Sequence, residues 1–233
     1  MTLELTRKYG EMFTVLNMAN AYIPGGKYRE GSGAQEENMT RRTDLHWALT
    51  TGESGQMDQA KDAYHPSMTE LLNAENGRVY LGETPRVCIR AGENTNRRPG
   101  EVDVGYEWLP EDDIFPFFEL RAAAIDRRRA DRTLQPFDDE MRQKTRQRIE
   151  AQLHTLREKE VKHVVLSAFG CGAFQKPPEE IAALYREVIS EMHQFFHVIA
   201  FAIFAPGYGP NDNFQVFQKA FDNFQVSQKA SDA

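Results

Sequence analysis

Asn20-Ala-Tyr-Ile-Pro-Gly-Gly-Lys-Tyr-Arg-Glu-Gly-Ser-Gly-Ala-Gln-Glu-Glu37 is the stretch on which the reading of this chain turns. It joins the end of a strand-like segment to a glycine-rich turn and then to two adjacent carboxylates. The run before it, Met12-Phe-Thr-Val-Leu-Asn-Met-Ala-Asn20, is short and mostly apolar, which fits a buried strand ending at a polar residue. Pro24 fixes the start of the turn, and Gly25 and Gly26 permit a close approach that a Cβ would block. From Gln35 the pattern predicts an amphipathic helix to Thr50, with Met39, Leu45 and Leu49 buried and Trp47 in the core. Glu36 and Glu37 fall in its first turn, where backbone N–H groups lack intrahelical partners. Carboxylates there can simply complement the helix dipole. They can also be an acid pair at the end of a strand, where α/β folds place their chemistry.

A second segment sharpens the choice. The apolar run His163-Val-Val-Leu-Ser-Ala168 predicts a buried strand, followed by Phe169-Gly-Cys-Gly-Ala-Phe174, then Gln-Lys-Pro-Pro178 and a helix. A strand, a glycine turn and a proline-led helix suit an anion, because free N–H groups and the helix dipole face the same point. Taken alone, each loop is a weak signal; the two together are a specific one.

Together the segments resemble the macrodomain family and, within it, the microbial type of poly(ADP-ribose) glycohydrolase. The matching residues are Asn20, Pro24, Gly25, Gly26, Gln35, Glu36, Glu37, Arg41, Arg42 and Leu45, then Gly170, Cys171, Gly172, Phe174, Pro177 and Pro178. The resemblance runs from about Glu11 to Phe204, with a poorly matched middle. Lys27 stands where that family has a third glycine. Phe117 to Asp126 carries charges where a more apolar strand is usual. The resemblance implies a three-layer α/β/α macrodomain with a mixed, mostly parallel central sheet. It implies that Gly170, Cys171, Gly172, Ala173 and Phe174 hold a diphosphate, with Phe174 packing on the distal ribose. Asn20 would bond a ribose hydroxyl, Pro24 to Gly26 would cover that sugar, and Gln35 belongs to the same ligand-binding set. Glu37 would be the catalytic acid and Glu36 would fix a neighbouring hydroxyl. The bond broken is the glycosidic link of the distal ribose, through an oxocarbenium-like transition state. The scheme requires neither metal nor cofactor.

Lys27 is the main departure near the sugar loop. A long cation there either pairs with a phosphate or blocks the next unit of a polymer, and the second case favours mono-ADP-ribosylated protein. For an arginine linkage, Asp44, Glu119 and Asp126 are the acidic candidates to hold the guanidinium. The expected partners are thus ADP-ribose and ADP-ribosylated protein or polymer. The rival class is a reader that binds ADP-ribose without turnover, which needs the glycine loops but not Glu37.

Other residue types weigh less. Cys171 at a helix N-terminus can be an activated thiol, but no histidine is placed beside it, so a small-residue loop role is preferred. His193 and His197 have HxxxH spacing without a third ligand, so no zinc site is expected. Phe214 and Phe217 are read as packing residues rather than adenine platforms.

Length and composition set outer bounds. At 233 residues and 40% hydrophobic content the chain can bury a full core. One domain over residues 1–221 is expected, with 222–233 as a flexible tail. The net charge of −7 disfavours general binding to nucleic-acid phosphates. Arg127-Arg-Arg129 is read as a solvated turn. No run suits a membrane span, the start lacks the apolar core of a secretion signal, and two cysteines make no disulfide framework. A cytoplasmic or otherwise intracellular location is therefore expected, with non-classical secretion left open.

The remaining pattern predicts an irregular stretch over Gly52–Pro66 and a helix over Met68–Ala74 capped by Ser67. Short strands near Arg78–Leu81 and Arg86–Arg90 come next, then a long loop over Ala91–Pro116 anchored by Tyr106 and Trp108. A core strand over Phe117–Ile125 follows, and a helix capped by Asp138 runs to Lys159 with Met141, Ile149, Leu153 and Leu156 as its stripe. A helix over Pro178–Phe195 leads to a strand over Val198–Phe204, expected to be buried on both faces. The tail repeats itself: Asp212–Phe221 is followed by Asp222–Ser231, with serines at 227 and 231 replacing aromatics. The first copy is expected to dock and the second to fray.

Overall fold

The structure, a computed structural model, describes residues 1–50, 57–58, 62–93, 106–131, 133–204, 213–222 and 224. In chain order the elements are α1 (Thr2–Tyr9), β1 (Thr14–Ala19), α2 (Gln35–Arg42), α3 (Leu45–Thr50), β2 (Met57–Asp58), β3 (Ala63–Tyr64) and α4 (Pro66–Leu72). They continue with β4 (Tyr80–Leu81), β5 (Arg86–Cys88), β6 (Phe115–Ala123), α5 (Asp139–Glu158), β7 (His163–Leu166), α6 (Pro178–Met192), β8 (Val198–Phe201) and α7 (Asn213–Phe221). The main sheet has the order β4-β6-β1-β7-β8, with β5 also paired to β6. β6, β1, β7 and β8 run parallel, and β4 and β5 join β6 antiparallel. This is the mixed, mostly parallel sheet that the resemblance implied.

Register explains the layers. Leu16 lies beside Leu120 and Met18 beside Ala122, and successive side chains alternate between faces. Leu16, Leu120, Ala122, Val164 and Leu166 join one core with Ile149, Leu153 and Leu156 of α5 and Ile181, Leu184, Tyr185 and Val188 of α6. A second, smaller core on the other face gathers Leu45, Leu49, Met68 and Leu72 against Ala123. That second face is not uniformly apolar. It also buries Asn17, Glu119 and Arg121, which are neighbours by alternation on β1 and β6.

The predicted stripes of α5 and α6 are buried as read, and Asp138 accepts from Met141 N to cap α5. Several expectations are corrected. The helix read over Gln35–Thr50 is two helices, because the backbone turns extended at Thr43. There Asp44 N donates to Val87 O, Ile89 N donates to Arg42 O, and Val87 N donates to Asp44 Oδ1, so β5 captures groups a continuous helix would use internally. Trp47 is not core; its ring is 62% exposed. The stretch read as irregular over Gly52–Pro66 contains the β2–β3 hairpin. α4 begins at Pro66 after His65 rather than at Met68 after Ser67, since proline's fixed φ suits a first helical position. Val198–Phe201 is the edge strand, half-buried rather than covered on both faces, and Phe204 is exposed. The α6 helix ends at Met192, with a 3-10 turn over His193–Phe195.

Arg127-Arg-Arg129 is not simply solvated. Arg127 donates to the carbonyls of Gln135 and Gln175, and Arg128 pairs with Asp126. Of the long loop, residues 94–105 lie outside the described residues. Tyr106 anchors as read, bonding Asn38, whereas Trp108 is exposed and is covered by the Arg90 guanidinium. The first tail copy forms α7 and buries Phe217 against Tyr185 and Phe201, while Phe214 is partly exposed. Most of the second copy lies outside the described residues.

Candidate active site

At the carboxyl end of β1 the first turn of α2 is fastened to the strand by side chains. Gln35 Oε1 accepts from Met18 N at 2.9 Å, and Gln35 Nε2 donates to Leu16 O at 2.8 Å. These main-chain groups lie just past Val15, where the pairing of β1 with β7 ends. Asn20 N then donates to Glu36 Oε2 at 2.6 Å. Gln35 and Glu36 thus fix the axis and depth of α2 relative to the sheet. Asn20 turns its own Oδ1 back to accept from Tyr22 N and Ile23 N, which shapes the start of the glycine turn.

The turn closes over both carboxylates. Lys27 N donates to Glu37 Oε1 at 3.1 Å. Gly26 has φ +61°, and a Cβ there would lie 2.5 Å from Glu37 Oε1 and 3.0 Å from Glu36 Oε2. Only a residue without a side chain lets the loop pass this close to two acids. Gly25, at φ +72°, is packed as tightly against the Tyr28 ring. The loop is held from outside by Arg41, whose guanidinium donates twice to Tyr28 O, and by Tyr28 OH against His46. Arg42 donates to Arg90 O. The motif reading matched Arg41 and Arg42 but gave them no task; their spacing from Glu37 on one helix was the only signal available.

Glu36 is 3% exposed and Glu37 7%. Burial pushes the Glu36 carboxyl up to about 8; the Asn20 N–H and Arg121 oppose the rise, and the neighbouring carboxylates Glu37 and Glu119 add to it. Glu36 Oε1 is fully buried without a hydrogen-bond partner among the described residues. Beneath the pair lies an ionic network: Glu119 accepts two bonds from Arg121 and one from Asn17 Nδ2, and Arg121 Nη1 donates to Tyr64 OH. Burial opposes a charge on Glu119, but Arg121 outweighs it and holds that carboxyl below its ordinary value.

The second loop follows β7. Gly170, at φ +78°, sits where a Cβ would meet Ala124 Cβ at 2.8 Å and Lys176 Cδ at 2.9 Å, whereas Gly172 faces open space. Cys171 N donates to Ala168 O, and Gln175 N donates to Gly172 O. Gly172 and Ala173 are exposed and Phe174 is half-buried. The Cys171 thiol is buried and pushed up to about 12, chiefly by that burial, so it is no thiolate nucleophile near neutral pH. α6 begins at Pro178 without a side-chain cap, which leaves its first N–H groups unclaimed by a capping residue.

The acids singled out for an arginine linkage are all engaged. Glu119 is wholly buried in the network just described. Asp44 accepts from Val87 N, and Asp126 pairs with Arg128. The Lys27 ammonium points to Glu30, at 3.4 Å, on an exposed surface. His193 bonds Ser190 O, and the His197 ring lies against His163. Among the described residues, no group of histidine, cysteine, aspartate and glutamate could hold a metal ion, and no helix is long and apolar enough to cross a membrane.

Comparison with known proteins agrees with this architecture. The family model of the microbial-type poly(ADP-ribose) glycohydrolase catalytic domain matches residues 2–72, the segment containing β1, the glycine turn and the Gln35–Glu37 motif. The resemblance is thereby borne out over the first motif, while the second, at Gly170–Pro178, lies outside the matched residues. Poly(ADP-ribose) glycohydrolase from Deinococcus radiodurans, in complex with ADP-ribose, is similar over 94% of this chain and 79% of its own, with a TM-score of 0.65 and 21% identity. The enzyme of that name from Thermomonospora curvata is similar over 94% and 72%, with a TM-score of 0.63 and 22% identity. A structure of the Thermomonospora curvata enzyme with the inhibitor ADP-HPD covers 94% and 74%, at a TM-score of 0.61 and 22% identity. At these identities the likeness is one of fold, and the fold is the macrodomain-like α/β/α arrangement. No curated protein sequence matches the chain.

Proposed function

We propose that this chain is a glycosidic-bond hydrolase that releases ADP-ribose from poly(ADP-ribose) or ADP-ribosylated protein, with residues 1–221 as the unit carrying the activity. The observation that carries the proposal is the Glu36–Glu37 pair, buried under Gly26 at the end of β1 and tied to the turn by the Asn20 and Lys27 amides. A dipole-complementing role does not call for two carboxylates to be packed beneath a glycine loop. The family match over residues 2–72 and the fold shared with two bacterial poly(ADP-ribose) glycohydrolases support the same reading.

In this reading the diphosphate lies on Gly170 to Phe174 and the α6 N-terminus, and the distal ribose lies between Phe174 and the Pro24–Gly26 turn. Glu36, raised to about 8, holds its proton near neutrality and can donate to a ribose hydroxyl as well as accept. Glu37, the more exposed of the two, protonates the departing oxygen. It then, as carboxylate, draws a proton from the water that attacks the anomeric carbon. The Lys27 amide holds Glu37 Oε1 in place and leaves Oε2 for the transfer. Gln35 and Asn20 act largely by positioning, since their amide groups hold β1 and the turn.

Polymer or another linkage is favoured over arginine-linked protein, because Asp44, Glu119 and Asp126 already hold internal partners. Free ADP-ribose released over time from poly(ADP-ribose), from arginine-linked and from acid-linked protein tests the assignment. Release from the first that vanishes in Glu37→Gln is the expected result. ADP-ribose binding without release from any of the three would make the chain a reader and sink the proposal.

A further inference from the structure

Three cations converge behind the Gly170–Phe174 loop, and among the described residues none of them forms an ion pair with a carboxylate within 4 Å. Lys176 is 2% exposed; its ammonium donates to Thr145 Oγ1 and lies 5.7 Å from the Phe137 ring centre. Arg127 flanks the same ring at 6.0 Å and, among the described residues, donates to the carbonyls of Gln135 and Gln175. Arg148, on α5, donates to Ala123 O at the carboxyl end of β6. Ala124, the next residue, is in contact range of the Gly170 position, so all three cations adjoin the loop.

Some other buried or half-buried cations of this acidic chain are treated differently, although Arg41, Arg42 and Arg90 also donate to carbonyls. Arg121, Arg142 and Arg146 each pair with one or more glutamates. A buried positive charge without an anion is costly to the folded state, so its presence asks for a compensating partner elsewhere. Burial and the neighbouring arginines act together on Lys176 to oppose its charge; burial does the same to Arg148, against the pull of Tyr22 and Glu75. The molecule thus gathers three basic groups on the inner side of a glycine loop whose outer side is open at Gly172, where an anion would favour their charged forms.

We propose that Lys176, Arg148 and Arg127 are the countercharge for a diphosphate seated on the outer side of the Gly170–Phe174 loop, acting through the loop rather than by touching the ligand. The inference rests on the placement of the ADP-ribose diphosphate given above, but it needs only an anion at that loop. It makes the three residues positioning and selectivity elements: the loop N–H groups supply direction, and the cations behind them supply the field. A neutral ligand gains nothing from that field.

Binding of ADP-ribose by calorimetry and of inorganic pyrophosphate by thermal shift tests this in the wild type, Lys176→Met, Arg148→Met and Arg148→Lys. Lys176→Met is expected to weaken both ligands about tenfold or more, with the melting temperature of the free protein unchanged or raised, because an unpaired buried charge is removed. Arg148→Met should weaken both as well, and Arg148→Lys should restore most of the loss. A merely structural role would instead lower the melting temperature and show no dependence on the charge at position 148. Wild type that binds pyrophosphate but not ADP-ribose would keep this inference and overturn the proposed function. ADP-ribose affinity unchanged in both methionine variants, or no binding of either ligand by the wild type, would overturn the inference.

Discussion

Replacing Glu36 by glutamine should remove most of the pH dependence of stability between about pH 5 and 8. The native carboxyl titrates at about 8, against an ordinary value of 4.5. A native value above the unfolded one means that the folded chain holds the proton more tightly across that window. Its contribution is therefore complete below the unfolded value and is lost as pH rises through the native one. The slope is about 1.4 kcal/mol per pH unit, and the full span amounts to roughly 5 kcal/mol, large against a typical domain stability of about 5–15 kcal/mol. The glutamine oxygen can still accept from Asn20 N, and the amide occupies the place of the partnerless Glu36 Oε1. Lys176, with its ammonium pushed from 10.5 down to about 7 mainly by burial, acts in the opposite sense, its penalty building as pH falls from 10.5 to about 7 and constant below that. Both proteins share that contribution, so the difference between them isolates Glu36. Urea unfolding at half-unit steps from pH 5 to 9 measures it. Wild type should lose stability relative to Glu36→Gln as pH rises; parallel curves would refute the raised carboxyl.

Gly26→Ala should lower stability by about 1–2 kcal/mol for its left-handed backbone and abolish turnover by displacing the Glu37 carboxylate; a fully active alanine variant in the release assay would contradict the packing. Glu119→Gln takes the buried Glu119 carboxylate from Arg121 and should cost about 3–5 kcal/mol in chemical denaturation, far more than loss of a surface pair. Cys171→Ala should retain ADP-ribose release within about twofold, and the wild-type thiol should resist alkylating reagents at neutral pH in the folded state.

The sheet was legible wherever burial is one-sided or complete over a run. The stripes at Met141, Ile149, Leu153 and Leu156 and at Ile181, Leu184, Tyr185 and Val188 carry a helix period, and both helices stand where that period placed them. The break at Thr43 was not legible, because nothing in 43–44 is a helix breaker; the cause is β5, more than forty residues later in sequence, drawing Asp44 N away. Val198–Phe204 misled for a related reason: apolar content signals burial, but the strand's place at the sheet edge is set by topology. The two loops were readable as candidate sites from residue type and order. The depth of Glu36, the clamp of Arg41 on Tyr28 and the Asn17–Glu119–Arg121 network were not, since each depends on distant segments meeting on one face of the sheet. Lys176 drew no reading from the sequence, and only the fold turns it inward beneath Gly170.

The most direct test of the account compares wild type with Glu37→Gln on poly(ADP-ribose), following free ADP-ribose over time while measuring ADP-ribose affinity for both. The account predicts release by wild type, a fall of at least about a hundredfold in the variant, and affinity retained within a few-fold, as loss of a general acid requires. Undiminished release by Glu37→Gln would contradict the assignment of the acid, and binding without release by the wild type would contradict catalysis itself.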